Sequence, residues 1–272
     1  MPSNNQNKLP LIMGILNITP DSFSDGGDFL SVNRAVDHAK KMLSDGASII
    51  DVGAESTRPS AEKVSADEEV RRLLPVLEAI NDIQSDALIS VDTYKPEVAK
   101  LALEKGAKII NDVYSISDKN TYPMAEVAAE YGSYLVITDN SRNSILDKNN
   151  FLLEIRENLF SKIDSARKVG VEESKIIIDV GIGFGKTTEQ NFALIANLDM
   201  FKELNCKLML GVSRKSMFAE IVGDNLSERD DATAVISAIS AYLKNVDILR
   251  VHDVKKTFNA IKISSNLKKW TK

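Results

Sequence analysis

The chain has 272 residues, of which 43% are hydrophobic and 27% are charged, and its formal net charge is −5. These proportions are typical of a globular domain and exclude a disordered or fibrous chain. The acidic balance argues against a nucleic-acid partner, which would require a basic face, although a few local cations can still bind an anionic ligand.

The first residues and the single cysteine indicate where the protein resides. The segment MPSNNQNKLP lacks the apolar core and basic start of a secretory signal, and no apolar run approaches the roughly 18 residues of a membrane span. Cys206 alone excludes an internal disulfide, and its apolar surroundings predict a buried, inert thiol. We therefore expect a cytoplasmic protein without a membrane partner, with a flexible tail over residues 1–10 and one domain over residues 11–272.

Eight short, β-branched runs alternate with longer amphipathic segments. The runs are continuously apolar, as in strands that are buried on both faces of a parallel sheet. They are LIMGILNI from Leu11, SIIDVGAE from Ser48, ALISVDTY from Ala87, KIINDVY from Lys108, SYLVITD from Ser133, KIIIDVG from Lys175, KLMLGVS from Lys207 and DILRVHD from Asp247. Glycines able to close a helix end several of the segments between them: Gly46, Gly106, Gly132 and Gly170.

Eight strand–helix units in about 250 residues predict an α/β fold, a single-domain (β/α)8 TIM barrel. An open doubly wound sheet shows the same alternation and is the competing fold. The count of eight favours closure.

Polar side chains follow nearly every predicted strand. A single Asp or Asn after a strand is most often a turn former or a helix N-cap, which is the role we expect for Asp51 and Asp112. In a barrel, however, the carboxyl ends of all strands meet at one face, so recurrence there indicates a ligand site. The residues are Asn17, Asp51, Glu55, Asp92, Asn111, Asp112, Asp139, Asp179, Ser213 to Lys215, Arg250 and His252.

Two chemistries are represented among these residues. Asp92, Asn111 and Asp179 offer acceptors and an amide, which suit the amino and ring N–H edge of a flat heterocycle. A second, cationic set suits a phosphate or diphosphate. Its members are Arg58, Lys215, Arg250 and His252.

Two glycine-rich segments require separate interpretation. Thr19–Gly27 is either a polar turn or a mobile lid. Gly181–Thr187 lacks the glycine that a phosphate loop needs at Val180 and the one that a dinucleotide fingerprint needs at Lys186, so we expect no nucleotide site and a solvated Lys186. His38 lies in a helical pattern, and two distant histidines do not make a zinc-hydrolase site.

Seven collinear segments resemble the dihydropteroate synthase family over essentially the whole chain. The first and the sixth of them are highly specific. The segments are MGILNITPDSFSDGG from Met13, DVGAESTRP from Asp51, ISVDTYKPEVA from Ile89, IINDV from Ile109, DVGIGFGK from Asp179, LGVSRKS from Leu210 and RVHDV from Arg250.

The resemblance implies a (β/α)8 barrel that usually forms a homodimer. It also implies a transferase that condenses 7,8-dihydropterin-6-ylmethyl diphosphate with 4-aminobenzoate, giving 7,8-dihydropteroate and diphosphate, with Mg2+ as cofactor. In this family sulfonamides compete with aminobenzoate.

By motif matching, the resemblance also implies roles for individual residues. The pterin would be held by Asp92, Asn111, Asp179 and Lys215. Asn17 would bind the metal and the diphosphate, together with Thr57, Arg58, Arg250 and His252. The aminobenzoate would lie among Pro59, Phe184, Lys215 and Ser216. Catalysis would fall to Asp92, Lys215, Arg250 and His252, with loops carrying Phe23 and Arg58 closing over the site.

The chain departs from the family pattern after the fifth strand. The family usually has a Met-His segment there, whereas Ile137–Ser144 reads ITDNSRNS, a change at the wall of the pterin site. This departure motivates a second hypothesis, a non-catalytic pterin-binding paralogue. A third is the pterin-binding domain of a methyltransferase, which would have no use for the SRKS and RVH segments.

Overall fold

The computed structural model describes residues 9–18, 28–55, 63–83, 85–115, 122–140 and 150–270, with the backbone alone for residues 28–30. Eight parallel strands form a closed barrel in chain order. They are β1 (Leu11–Asn17), β2 (Ile49–Gly53), β3 (Leu88–Asp92), β4 (Ile109–Asp112), β5 (Tyr134–Thr138), β6 (Ile176–Asp179), β7 (Lys207–Leu210) and β8 (Ile248–Val251). The predicted (β/α)8 TIM barrel is confirmed.

Helices connect the strands on the outside of the barrel. In the described ranges these are α1 (Asp28–Ser44), α2 (Ala66–Asn81), α3 (Pro96–Glu104), α4 (Pro123–Tyr131), α5 (Phe151–Lys168), α6 (Thr188–Ala196), α7 (Ala219–Val222), α8 (Leu226–Leu243) and α9 (Val254–Lys268). The four predicted helix-closing glycines all have positive φ. At Gly46, where φ is +111°, a Cβ would also lie 2.8 Å from Phe258 Cγ, so no larger residue fits there.

The core has an inner and an outer layer. Inside the barrel, a compact cluster joins seven of the eight strands; it consists of Met13, Ile49, Ile109, Val136, Ile177, Met209 and Ile248, all buried. A much larger cluster, which includes Leu135, lies between the strands and the helices. The alternation of the strands therefore assigns each residue to one of the two layers.

Leu9, Cys206 and His38 differ in how far they are buried. Residues 1–8 of the expected tail lie outside the described residues, while Leu9 is half-buried and packs against the core. Cys206 is half-buried just before β7 rather than fully buried, and burial raises the pKa of its thiol to about 11, which keeps it un-ionised and unreactive. His38 lies exposed on α1, in the helix that its sequence pattern predicted. In the described part of the chain, each helix is too short or too polar to cross a membrane.

The two-layer packing leads to a stability prediction. Leu135 of β5 is 0% exposed and Leu153 of α5 is 47% exposed. We expect Leu135→Ala to lower the free energy of unfolding by about 2–5 kcal/mol, because it leaves a cavity, and Leu153→Ala to change it by less than about 0.5 kcal/mol. Urea denaturation of both variants measures this difference. Equal losses in the two would contradict the assigned layers.

Candidate active site

The inward-facing residues continue from the apolar layer to the carboxyl ends of the strands. Because side chains alternate, the residue two places after an inward Ile or Val faces inward as well. Ile49 is thus followed by Asp51, Ile109 by Asn111, Ile177 by Asp179 and Ile248 by Arg250. These four of the polar residues predicted from the strand ends therefore converge on one barrel mouth.

Arg250 ties the centre of this mouth together. Its Nε lies 2.7 Å from Asp51 Oδ2 and its Nη2 lies 2.5 Å from Asp92 Oδ2. Asn111 Nδ2 donates to the same Asp51 oxygen over 2.9 Å. Strands β2, β3, β4 and β8 are thereby linked through one network of charged and amide groups.

The two aspartates for which a turn or cap role was expected have different roles in the structure. For Asp51 the expectation is wrong, because this residue lies within β2, is fully buried, and binds Arg250 and Asn111. For Asp112 it is confirmed, since one carboxylate oxygen accepts from the backbone N–H groups of Tyr114 and Ser115 at 3.1 and 2.8 Å.

Unpartnered acceptors face this mouth. Asp92 Oδ1 and Asn111 Oδ1 are buried and have no hydrogen-bond partner among the described residues. Burial raises the pKa of Asp92 to about 7, opposed by the positive charge of Arg250. Burial also raises the pKa of Asp179, although the Gly181 N–H donates to it over 2.8 Å. Buried acceptors of this kind are costly unless a ligand completes their hydrogen bonds.

Two inward glycines leave room beside these carboxylates. Gly53 is the register partner of Asp92, and a Cβ on it would lie 3.2 Å from the Asp92 Cβ. A Cβ on Gly211, which follows β7, would lie 3.4 Å from Asp179 Oδ2. Small residues at these points keep the mouth open for a flat ring.

The loops after β6, β7 and β8 form the cationic side. Lys215 Nζ lies 4.5 Å from the centre of the buried Phe184 ring, and the exposed Ser216 follows it. Ser213 Oγ lies 2.9 Å from His252 Nδ1 and accepts from the His252 backbone N–H over 3.1 Å. The predicted aminobenzoate and diphosphate residues of these loops are therefore brought together.

Arg214, by contrast, is directed elsewhere. It forms a two-point ion pair with Asp230 of α8, with N···O distances of 2.8 and 2.9 Å. Its positive φ of 57° is a strained conformation at the loop that presents Lys215. Arg214 thus anchors this loop to α8.

The expectation of a solvated Lys186 is wrong. Its side chain is 0% exposed, and its Nζ lies 2.9 Å from Asp139 Oδ2 and 3.0 Å from the Gly181 carbonyl oxygen. Burial lowers the pKa of Lys186, opposed by the charge of Asp139. The reason is the turn at Gly181, with φ of +71°, which directs the chain back toward β5. Asp139 therefore neutralises a buried cation rather than serving a ligand.

Glu55 has a similar structural role at the end of β2. Its carboxylate pairs with Lys95 and accepts a hydrogen bond from Tyr94 Oη over 3.0 Å. Lys95 Nζ also lies 2.5 Å from Glu69 Oε2. It also accepts from the Val64 backbone N–H over 3.3 Å. Glu55 thus joins the two sides of the loop after β2.

Some predicted site residues cannot be placed. Thr57, Arg58, Pro59, Phe23 and the second half of the altered segment after β5, residues 141–144, lie outside the described residues. Asn17 is described and stands exposed at the end of β1. One inward residue, Thr138, was named only as part of the altered segment Ile137–Ser144 and not as a site residue, because threonine at the end of a strand resembles an ordinary strand residue. Its spacing of two from Val136 was the available signal.

Comparison with known proteins agrees with this geometry. A model of pterin-binding enzymes matches residues 13–252. A dihydropteroate synthase of Clostridium beijerinckii is 44% identical over 253 residues, which cover 93% of this chain and 92% of the relative. The chain belongs to the dihydropteroate synthase family.

Solved dihydropteroate synthases share its fold. The Clostridium difficile enzyme, crystallised in the presence of pteroic acid, superposes with a TM-score of 0.88 at 40% identity, covering 96% of this chain and 97% of that one. The Xanthomonas albilineans synthase with 4-aminobenzoic acid has a TM-score of 0.87 at 34% identity, covering 96% and 94%. The family resemblance drawn from the seven segments is therefore confirmed.

The buried Lys186–Asp139 pair yields a prediction that is independent of activity. Lys186→Met leaves a buried carboxylate without its cation, so we expect the unfolding free energy at pH 7 to fall by about 3–5 kcal/mol. The double variant Lys186→Met/Asp139→Asn should recover most of this loss.

The exposed pair Lys168–Asp164 provides a matched control, and Lys168→Met should change stability little. A Lys186→Met protein as stable as the wild type would contradict the buried pair, as would a double variant no more stable than the single one.

Proposed function

We propose that this chain condenses 7,8-dihydropterin-6-ylmethyl diphosphate with 4-aminobenzoate, as an active dihydropteroate synthase and transferase. The observation that carries the proposal is the meeting of two chemistries at one barrel mouth. Unpartnered buried acceptors of Asp92 and Asn111 lie on one side, and the loops of Lys215 and His252 lie on the other. A substrate with a flat N–H-bearing ring and an anionic tail satisfies both.

The pterin ring would occupy the space beside Gly53 and Gly211. Asp92 and Asp179 accept hydrogen bonds from its N–H groups, Asn111 adds an acceptor oxygen, and Lys215 donates from the facing loop. Binding then completes the hydrogen bonds that Asp92 Oδ1 and Asn111 Oδ1 do not form with the described residues. Affinity therefore comes from groups that are already buried and held in place.

The aminobenzoate would lie at the loops after β6 and β7. Phe184 provides an apolar face, Lys215 a cation for the carboxylate and Ser216 an exposed donor. For Pro59, a contact with the aminobenzoate is what the family resemblance implies. Since Lys215 faces both the pterin and Phe184, it sits where the two substrates must meet. By the family resemblance, the loops that carry Phe23 and Arg58 would close the site, and Thr57 and Arg58 would join the diphosphate contacts.

The diphosphate would bind to Arg250, His252 and Asn17. Two N–H groups of Arg250 donate hydrogen bonds to Asp51 and Asp92. Because a guanidinium has five N–H donors, the remaining ones can bind the diphosphate leaving group. Ser213 Oγ holds the His252 ring through Nδ1, which orients the imidazole at the rim.

The Asn17 amide suits Mg2+ in its chemistry. Mg2+ prefers oxygen ligands and is commonly held by one or two protein groups plus substrate phosphates. Asn17 presents one amide oxygen at the exposed end of β1, and the described residues contain no cluster of three or more His, Cys, Asp or Glu side chains that would form a cage. When bound, Mg2+ would neutralise charge on the departing diphosphate.

The reaction would be a dissociative displacement. The bond between the pterin methylene carbon and the diphosphate oxygen breaks, and the electron pair leaves with the diphosphate. The resulting cation is stabilised through the ring by the Asp92 carboxylate, while Arg250 and His252 hold the leaving group. The aromatic amine then attacks and releases a proton to solvent. A weak nucleophile suffices for such a cation, so no activated side chain is required.

A homodimer in the cytoplasm fits the remaining features. Val235, Ile239 and Leu243 form an exposed apolar stripe along α8, and Ile263 and Leu267 form another on the adjacent α9. Apolar stripes at helical spacing suit a second copy of the chain. A thiol that stays un-ionised and unpaired suits a reducing compartment.

A diphosphate-release assay tests the proposed function. We expect release from the pterin diphosphate only when 4-aminobenzoate and Mg2+ are both present, with 7,8-dihydropteroate formed in equal amount. Pterin binding without release would instead favour the non-catalytic paralogue. Methyl transfer from a pterin donor without diphosphate release would favour the methyltransferase domain.

Pterin affinity should depend on pH through Asp92. Burial and the carboxylates of Asp51, Glu69 and Asp112 raise its pKa to about 7 against the lowering effect of Arg250, so the protonated form dominates below that pH. Since an ionised carboxylate accepts the ligand's N–H groups, affinity for 6-hydroxymethylpterin should fall about tenfold from pH 8 to pH 6.

The variant Asp92→Asn is the control for this pH dependence. It should bind the pterin more weakly at pH 8 and show a nearly flat profile between pH 6 and pH 8, because the amide does not titrate. Calorimetric titration with the unphosphorylated pterin avoids the ionisation of a phosphate group. A wild-type profile that is flat, or an unchanged slope in Asp92→Asn, would remove Asp92 from the ring contact.

A further inference from the structure

Thr138 is an inward-facing residue of the barrel mouth. It ends β5, two residues after Val136, which belongs to the inner cluster of the barrel, and four after Tyr134, which packs against that cluster. Its register partner on β6 is Asp179. Val136, one inward position below it, is the register partner of Asn111 on β4. Thr138 thus stands in the same ring of side chains as the proposed pterin contacts.

The backbone of Thr138 is held firmly. Its N–H donates to Ser115 Oγ over 2.7 Å, and Ser115 Oγ in turn donates to the Asp112 carbonyl oxygen over 2.7 Å. Its carbonyl oxygen accepts from Lys162 Nζ over 2.8 Å. The position of the side chain is therefore set from both sides, by the β4 loop and by α5.

The hydroxyl itself lacks a partner. Thr138 is 1% exposed, and its Oγ1 has no hydrogen bond with any described residue. A buried hydroxyl that forms no hydrogen bond destabilises the protein, whereas a valine of the same shape would not. The barrel mouth has the same property at Asn111 Oδ1 and Asp92 Oδ1. All three atoms become satisfied together if one ligand binds among them.

We propose that Thr138 Oγ1 hydrogen-bonds the pterin ring, next to the contact made by Asp179, and is a specificity-determining residue of this chain. The inference rests on the proposed function. An ionised carboxylate only accepts hydrogen bonds, whereas a hydroxyl both donates and accepts. A pterin edge presents ring nitrogen and carbonyl acceptors next to its N–H donors. Thr138 supplies the donor that Asp179 lacks, so the pair matches such an edge.

Replacement of the Thr138 hydroxyl by a methyl group should weaken pterin binding without lowering the stability of the protein. Thr138→Val should weaken binding of 6-hydroxymethylpterin monophosphate about 3- to 10-fold, the effect of one hydrogen bond. The same variant should unfold at a temperature equal to or a few degrees above that of the wild type, because a buried unpartnered hydroxyl is removed. Thr138→Ser, which keeps the hydroxyl, should bind nearly as well as the wild type.

Thr257→Val is the matched control. Thr257 is equally buried, at 1% exposed, but lies on α9 outside the barrel. This variant should leave pterin affinity unchanged, and 4-aminobenzoate affinity should be unchanged in all three variants. Calorimetric titration and thermal unfolding provide both readouts on the full-length protein.

The outcomes of these measurements distinguish failure of the proposed function from failure of the Thr138 contact alone. If the wild type does not bind the pterin, the proposed function fails and this inference fails with it. If the wild type binds and Thr138→Val binds equally well, the Thr138 contact alone is overturned. A Thr138→Val protein that is less stable than the wild type would also overturn it, since the hydroxyl would then have a structural partner.

Discussion

Closure of eight parallel strands places the last inward-facing residue of each strand at one mouth, and the site depends on this constraint. Alternation carries the apolar layer of Ile49, Ile109 and Ile248 directly into Asp51, Asn111 and Arg250. A shift of one residue in any strand would turn its polar group toward the helices. The barrel register and the chemistry of the mouth are therefore set by the same packing.

The mouth concentrates charge that the protein itself only partly neutralises. Arg250 compensates Asp51 and Asp92, but Asp92 Oδ1 remains unpartnered in the described structure, and burial raises the pKa of that carboxyl. Such an arrangement lowers stability and prepares the site for a ligand that donates hydrogen bonds. The buried Lys186–Asp139 pair beside it is complete and serves the β5–β6 edge instead.

The sequence was sufficient to predict the fold and the convergence of Asp92, Asn111, Asp179 and Lys215, because apolar strand segments and the residues that end them are local patterns. It was not sufficient to predict the roles of Asp51 and Lys186. Asp51 meets Arg250 across 199 residues of chain, and Lys186 is buried by a turn at Gly181 whose direction only the folded loop determines. Thr138 was noticed only as part of the altered segment Ile137–Ser144, because threonine is common in strands and its hydroxyl carries no signal until its burial is known.

A crystal structure of the protein with 7,8-dihydropteroate tests the central claim most directly. The account predicts that the pterin ring lies inside the barrel mouth, with its N–H edge against Asp92, Asn111 and Asp179, and that its aminobenzoyl group lies toward Phe184 and Lys215. A product bound outside the barrel mouth, with Arg250 still enclosed by Asp51 and Asp92 and the inward acceptors still unpartnered, would contradict it.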